Sequence, residues 1–244
     1  MSTFTSTVKK KLVARADERA KAWSEKYFLG VVPFIGCKSA ATMAVVREVL
    51  PTANALDDDA LVTEAFALVR DRHMEMKQVG VELLYRRRRT LGPAIVDALA
   101  PLFDDGSVKE WATCDGIAGH VLRYQLPNAG ARKKIVAWSK AKNDWRQRAS
   151  AVAFVNEAKH GRYDDDIVDV CSRIVRNPDR FVQLGCGWAL RELSRVDRKR
   201  VIAFVDDNAA FLSREGLRYA LEKTPADVRA QVMASHKDKA RRAS

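Results

Sequence analysis

Apolar residues recur along this chain at intervals of three and four, which is the spacing of one face of an α-helix. No segment alternates apolar and polar residues with period two for long enough to predict a strand. The pattern therefore predicts an all-α protein. We expect helices over residues 5–27, 39–50, 59–72, 74–89, 93–103, 108–124, 128–142, 145–158, 165–175, 180–195, 197–206, 213–223 and 226–236.

Glycine and proline mark the breaks in this pattern. Residues 28–37, FLGVVPFIGC, contain Gly30, Pro33 and Gly36, so we predict an ordered apolar turn in place of a helix. Pro51 is expected to end the preceding helix, because proline lacks the backbone N–H that a helix interior requires. Residues 1–236 are expected to form one domain, followed by a basic tail over residues 237–244.

The helices repeat as pairs. The second helix of each pair aligns on a small residue, and the intervals between these residues are 32, 37, 36 and 31. A two-helix unit at this period is typical of α-solenoids with HEAT-like repeats. We therefore expect a right-handed α-solenoid of about six two-helix repeats with a concave binding face. The aligned small residues are Gly80, Ala112, Ala149, Gly185 and Gly216.

The repeat brings a set of polar and aromatic residues into register. Trp111 and Arg148 immediately precede the small residue of their helices, and Asp115 and Trp188 follow it by three. Positions four apart share a helix face, so we expect these four residues to meet on one wall of the solenoid. The alternative is an inter-helix core with an Asp115–Arg148 ion pair, although a buried ion pair is a poor source of stability.

The charge of the chain favours a polyanionic partner. The 244 residues carry a formal net charge of +12, and such an excess of cations suits nucleic acid, although charge alone does not separate DNA from RNA or an anionic membrane. Three basic clusters, over residues 86–89, 132–134 and 198–200, are either solvated surface or contacts to a phosphate backbone.

Other function classes are not favoured. No apolar run approaches the length of a membrane span, and the first residues do not form a signal peptide, so we expect a cytoplasmic protein. The four cysteines are far apart and are expected to be reduced and mostly buried. Because the histidines show no metal-ligand spacing with cysteine or acidic residues, we expect no metal and no other cofactor.

The chain resembles the AlkD-type DNA alkylation-repair glycosylases, which are bacterial HEAT-like proteins that excise N3- and N7-alkylated purines. The resemblance runs from about residue 27 to residue 221 and depends on the order and spacing of several motifs. The motifs are FIGCK (34–38), WATCD (111–115), WRQRA (145–149) and GWALRE (187–192).

The resemblance implies roles for individual residues. Asp115 corresponds to the catalytic aspartate, and Trp111 and Trp188 correspond to aromatic residues that contact the deoxyribose of the lesion. Lys38 stands where some relatives carry glutamine, and Leu184 stands where lysine is expected, so lesion range and affinity are in question. The expected DNA-binding residues are Arg148, Tyr27, Lys38, Phe181, Arg86, Arg87, Lys133 and Lys134.

The expected activity is that of a monofunctional DNA glycosylase. It would hydrolyse the N-glycosidic bond of cationic N3- or N7-alkylated purines in double-stranded DNA, acting as a monomer without flipping the lesion into a pocket. Asp115 would stabilise the oxocarbenium ion and position water. One alternative is a non-catalytic binder of branched or damaged DNA, and another is a HEAT-like scaffold that binds proteins.

Overall fold

The computed structural model describes residues 2–243, with side chains described for residues 2–236. Helices are the only regular secondary structure in the described residues, which confirms the all-α prediction. Two short 3-10 turns, Leu122–Gln125 and Trp138–Lys140, supplement the α-helices. The α-helices are α1 Thr3–Val13, α2 Glu18–Tyr27, α3 Ser39–Asn54, α4 Asp58–Val69, α5 Met74–Arg87, α6 Ile95–Asp104, α7 Trp111–His120, α8 Ala129–Ala137, α9 Asp144–Val152, α10 Val155–Ala158, α11 Asp164–Ile174, α12 Arg180–Leu193, α13 Arg198–Asp207, α14 Arg214–Ala220 and α15 Ala226–Ala243.

The chain divides into two compact units, Met1–Tyr124 and Gln125–Ser244. In the first unit, α5 packs against α3, α4 and α7. In the second unit, α12 packs against α9, α11 and α14. Second helices of successive pairs therefore lie side by side within each unit, as the two-helix repeat predicts. The expectation of one domain over residues 1–236 stays a prediction.

The small residues of the repeat lie where helices approach closely. A Cβ atom added to Gly80 would stand 2.6 Å from the carbonyl oxygen of Ala65, between α5 and α4. An added Cβ at Gly185 would stand 3.1 Å from Cγ of Arg148, between α12 and α9. These distances are below ordinary van der Waals contact, so a larger residue would force the helices apart.

Two glutamines in the second unit link successive helix pairs. Gln147 and Gln183 stand at the same repeat position, two residues before the small residue. Each donates at 2.7 Å to a backbone carbonyl in the turn of its own pair. Gln147 then accepts a hydrogen bond from the Asn177 side chain at 3.0 Å, and Gln183 accepts one from the Ser213 backbone N–H at 2.9 Å. The recurrence of this pattern supports the repeat alignment in this unit.

The helix expected over residues 5–27 is in fact two helices. The chain leaves α1 at Ala14, and Asp17 caps α2 by accepting the N–H groups of Arg19 and Ala20. The Asp17 N–H donates to the carbonyl of Gly36 at 3.0 Å. The helical pattern of charges continues through the break, but this long-range contact competes with the helix for the backbone groups.

The expectation that Pro51 ends its helix is wrong, because α3 continues to Asn54. Proline removes one N–H donor from the last turn. Nη2 of Arg87 donates to the carbonyl oxygens of Ala53, at 3.2 Å, and Leu56, at 2.9 Å. This guanidinium satisfies carbonyl groups at the helix end, which makes continuation past the proline favourable.

The final helix is longer than expected. Its backbone runs from Ala226 to Ala243, whereas the pattern predicted an end at residue 236. Alanine, lysine and arginine dominate residues 237–243, and all three are good helix formers. The side chains of the predicted basic tail and all of Ser244 lie outside the described residues. No helix in the described part of the chain has the length and apolarity needed to cross a membrane.

Candidate functional site

Helix α7 places Trp111 and Asp115 on one face. The helix begins at Trp111, and both side chains are half-buried. The opposite face is buried and consists of Thr113, Cys114, Ile117 and Ala118. An indole and a carboxylate one turn apart therefore stand at the surface of the first unit.

A buried carboxylate determines where α7 begins. Glu110, 2% exposed, is the N-cap residue and accepts the backbone N–H of Ala112 at 2.6 Å and that of Thr113 at 3.0 Å. Nζ of the buried Lys77 donates to the carbonyl oxygen of Ser107 at 2.6 Å, which fixes the loop before the helix. Burial raises the pKa of Glu110 and lowers the pKa of Lys77, while the attraction between the two charges opposes both shifts.

Aromatic residues of the first unit support Trp111. The Phe28 ring stacks on the indole, with centroids 5.2 Å apart and planes 7° apart. Tyr27 meets the same indole edge-on at 6.3 Å, and Trp23 stacks on Tyr27 at 5.3 Å. Trp23 is 67% exposed and Tyr27 is 58% exposed. The predicted contact residue Tyr27 thus lies beside Trp111. Trp23 was not among the predicted contact residues, although its spacing of four from Tyr27 on a helix was a usable signal.

The turn over residues 28–37 is ordered, as predicted. A second buried carboxylate, that of Glu75, holds it in place. Glu75 accepts the backbone N–H groups of Ile35 at 2.9 Å, Gly36 at 2.8 Å and Cys37 at 2.9 Å. Gly36 has a φ of 111°, and a Cβ atom there would stand 2.7 Å from the carbonyl oxygen of Asp17. Only glycine fits this position.

The turn also contributes to the core beneath α7. Phe28, at its start, and Ala112 of α7 both pack on a buried cluster formed by Val32, Phe34 and Met74. Lys38 follows the turn as the N-cap residue of α3, with an exposed side chain 3.9 Å from the Asp17 carboxylate. The turn therefore connects the start of α7 to an exposed cation.

The second unit brings Arg148, Phe181 and Trp188 onto two neighbouring helices. Arg148 on α9 is 6% exposed and donates through Nη1 to the carbonyl oxygen of Phe181 at 2.6 Å. The Phe181 ring packs on Trp145, with centroids 5.2 Å apart. Trp188 on α12 is half-buried, with the Arg191 guanidinium 6.0 Å from its ring centroid. That these residues share one wall with Trp111 and Asp115 stays a prediction.

The predicted basic contacts differ in their surroundings. Arg86 is exposed and pairs with Glu82 one turn earlier at 2.9 Å. The Arg87 guanidinium donates to the carbonyl oxygen of Leu56, just after the end of α3, and pairs with Asp58 at 2.6 Å, so it has a structural role. Lys133 and Lys134 are exposed on α8. That helix is the first of its pair, whereas Arg148, Phe181 and Trp188 lie on second helices. Leu184 is half-buried immediately before Gly185.

The cysteine side chains are buried, and the described residues contain no cluster of metal-ligand side chains. The four cysteines are unbridged and buried, and burial raises the pKa of Cys37 to about 11. Within residues 2–236, no group of three or more histidine, cysteine, aspartate or glutamate side chains is arranged to hold a metal ion.

Two comparisons relate the chain to known proteins. The model of a family described as DNA alkylation repair enzyme matches residues 8–224. Among solved structures, the chain is similar to a predicted DNA alkylation repair enzyme from Enterococcus faecalis, with a TM-score of 0.77 and 16% sequence identity. The match covers 87% of this chain and 98% of that one, and it concerns the fold alone. No curated protein matches the chain.

Proposed function

The chain belongs to the DNA alkylation repair enzyme family, and we propose that it is a monofunctional DNA glycosylase. Its proposed substrates are cationic N3- and N7-alkylated purines in double-stranded DNA. The observation that carries this proposal is the surface pair on α7, where the Asp115 carboxylate follows the Trp111 indole by one turn. A carboxylate beside an aromatic face suits a reaction that passes through a cationic sugar.

The proposed reaction needs a single carboxylate and water. Alkylation at N3 or N7 gives the purine a positive charge, so the bond from C1′ to the base breaks with its electron pair moving to the purine. A neutral alkylpurine leaves, and the deoxyribose becomes an oxocarbenium ion. Asp115 stabilises this cation and orients the water that attacks C1′, and the proton of that water passes to solvent. An indole face adds cation–π stabilisation of about 0.5–2 kcal/mol.

The second unit is proposed to hold the DNA. Arg148 would contact a backbone phosphate, since the planar guanidinium presents N–H donors in a fork that matches the geometry of a phosphate. Trp188 would contact deoxyribose in the same way as Trp111. Phe181 would add a contact in this unit, and Tyr27 would add one beside Trp111 in the first unit.

Exposed cations would add contacts to the phosphate backbone. They are Lys38, Arg86, Lys133 and Lys134. Neutralising several phosphates releases counterions, so we expect binding to weaken steeply with salt. Arg87 is the weakest of the candidate contacts, because its guanidinium already binds Asp58 and carbonyl groups at the end of α3.

Release of 7-methylguanine from a methylated duplex tests the proposal. Wild type and an Asp59→Asn control, which changes an exposed carboxylate on α4, should both release the base. Asp115→Asn should bind the duplex and release almost none. Near-normal release by Asp115→Asn would refute the catalytic assignment. If wild type binds the duplex but releases nothing, the non-catalytic DNA binder becomes the better description.

A further inference from the structure

Gly119 is the next-to-last residue of α7, and no contact among the described residues requires a glycine there. Glycine is one of the poorest helix formers, so its presence inside a helix usually has a conformational or a packing reason. Gly119 has no positive φ and is therefore not a left-handed helix cap. No atom of the described residues outside its own helix and chain neighbours lies within 4 Å of the position that its Cβ would occupy.

The other glycines within the described helices all have a close neighbour at that position. An added Cβ would stand 2.6 Å from a backbone oxygen at Gly80 and at Gly187. It would stand 3.1 Å from a side-chain carbon at Gly116, next door on α7, and at Gly185. The space beside Gly119 is open, so no contact among the described residues accounts for the glycine.

Gly119 continues the surface on which Trp111 and Asp115 lie. It follows Asp115 by four residues, or about 6 Å along the helix axis, and so occupies the same face one turn later. In order along α7, this surface consists of the Trp111 indole, the Asp115 carboxylate and the backbone at Gly119.

We propose that residue 119 is glycine, with no side chain, because the lesion-bearing sugar–phosphate strand passes against α7 at this point. This inference rests on the glycosylase function proposed above. An aspartate side chain is short, so Asp115 reaches C1′ of a nucleotide still in the duplex only if the strand approaches the helix backbone closely. In this arrangement the strand follows α7, and the separation of about 6 Å between Asp115 and Gly119 corresponds to at most about two nucleotides, each with an axial rise of about 3.4 Å.

The test adds side chains of increasing size at Gly119 and measures stability, duplex affinity and single-turnover release of 7-methylguanine. Gly119→Ala should raise the melting temperature by about 2–4 °C, because alanine is the better helix former. The same variant should slow release by about 10- to 100-fold, because a displacement on the order of 1 Å misaligns the reacting atoms. Gly119→Leu should also weaken binding to the duplex.

Gly92 provides the matched control. It also has nothing within 4 Å of its added Cβ, but it lies in the loop before α6. Gly92→Ala and Gly92→Leu should leave release and affinity unchanged. Release by Gly119→Ala at the wild-type rate would overturn the inference, whereas loss of release in Asp115→Asn would still support the glycosylase. If the wild-type protein releases no base, affinity for the duplex is the deciding measurement. The inference is overturned if Gly119→Leu binds the duplex as tightly as wild type does. It is supported if Gly119→Leu loses affinity and Gly92→Leu does not.

Discussion

Replacing Glu75 with glutamine should loosen the turn that supports the start of α7. The carboxylate holds three buried N–H groups, those of Ile35, Gly36 and Cys37. In the Glu75→Gln variant, the remaining oxygen can accept the two N–H groups that Oε1 binds now. The amide nitrogen then faces the N–H of Ile35, which is left without an acceptor.

The size of the effect follows from these contacts. A buried N–H without an acceptor costs about 1–3 kcal/mol, and bonds to a neutral acceptor are weaker than bonds to a charged one by about 1 kcal/mol. We therefore expect Glu75→Gln to lower the free energy of unfolding by about 2–4 kcal/mol. Glu75→Ala leaves all three N–H groups unpaired, and the resulting loss in the free energy of unfolding approaches the total stability of a domain. Glutamine is therefore the informative substitution.

Urea denaturation of the purified protein measures this difference. The matched control is Glu48→Gln, whose carboxylate forms exposed, solvent-screened pairs with Lys11 and Arg15 and should contribute little. If Glu75→Gln unfolds within about 0.5 kcal/mol of wild type, the three hydrogen bonds do not hold the turn. Equal losses in both variants would mean that negative charge matters and the local geometry does not.

Three further predictions concern packing and protonation. Gly187→Ala places a Cβ atom 2.6 Å from the Gly216 carbonyl oxygen and should cost about 1–3 kcal/mol in a urea melt, against almost nothing for Gly92→Ala. The pKa of Glu110 is raised in the folded protein, so the stability that Glu110 contributes is present below its unfolded pKa and is lost as pH rises through its folded pKa. Glu110→Gln should remove this pH dependence from melting temperatures measured over a series of pH values. Cys37, with its pKa near 11, should react with iodoacetamide far more slowly in the native than in the urea-unfolded protein, and equal rates would contradict its burial.

The repeat pattern was readable because it depends on local periodicity. Gly80 and Gly185 align at the expected positions, and each lies at a close helix contact. The position of Trp111 and Asp115 on one face needed only their spacing of four. These features depend on residues within a turn or two of each other, which is the range over which a sequence pattern is informative.

The features that the sequence did not predict have a different origin. The continuation of α3 past Pro51 depends on the guanidinium of Arg87, which is distant in sequence. Lys77 and Glu110 are charged residues that a polarity pattern assigns to the surface, yet both are about 98% buried because backbone groups satisfy them. The stacking of Phe28 on Trp111 also joins distant segments. Such contacts form only in the folded chain and leave no periodic signal.

The paired glutamines determine where this chain can change in length during evolution. Gln147 and Gln183 each bind the turn of their own helix pair and the turn of the next pair, so an inserted residue in either turn would break both contacts. The opposite ends of the helices, at residues 159–163 and 194–197, have no such glutamine. Insertions, deletions and grafted loops should therefore accumulate at those connections, while the glutamine-bound turns keep a constant length among descendants of this sequence.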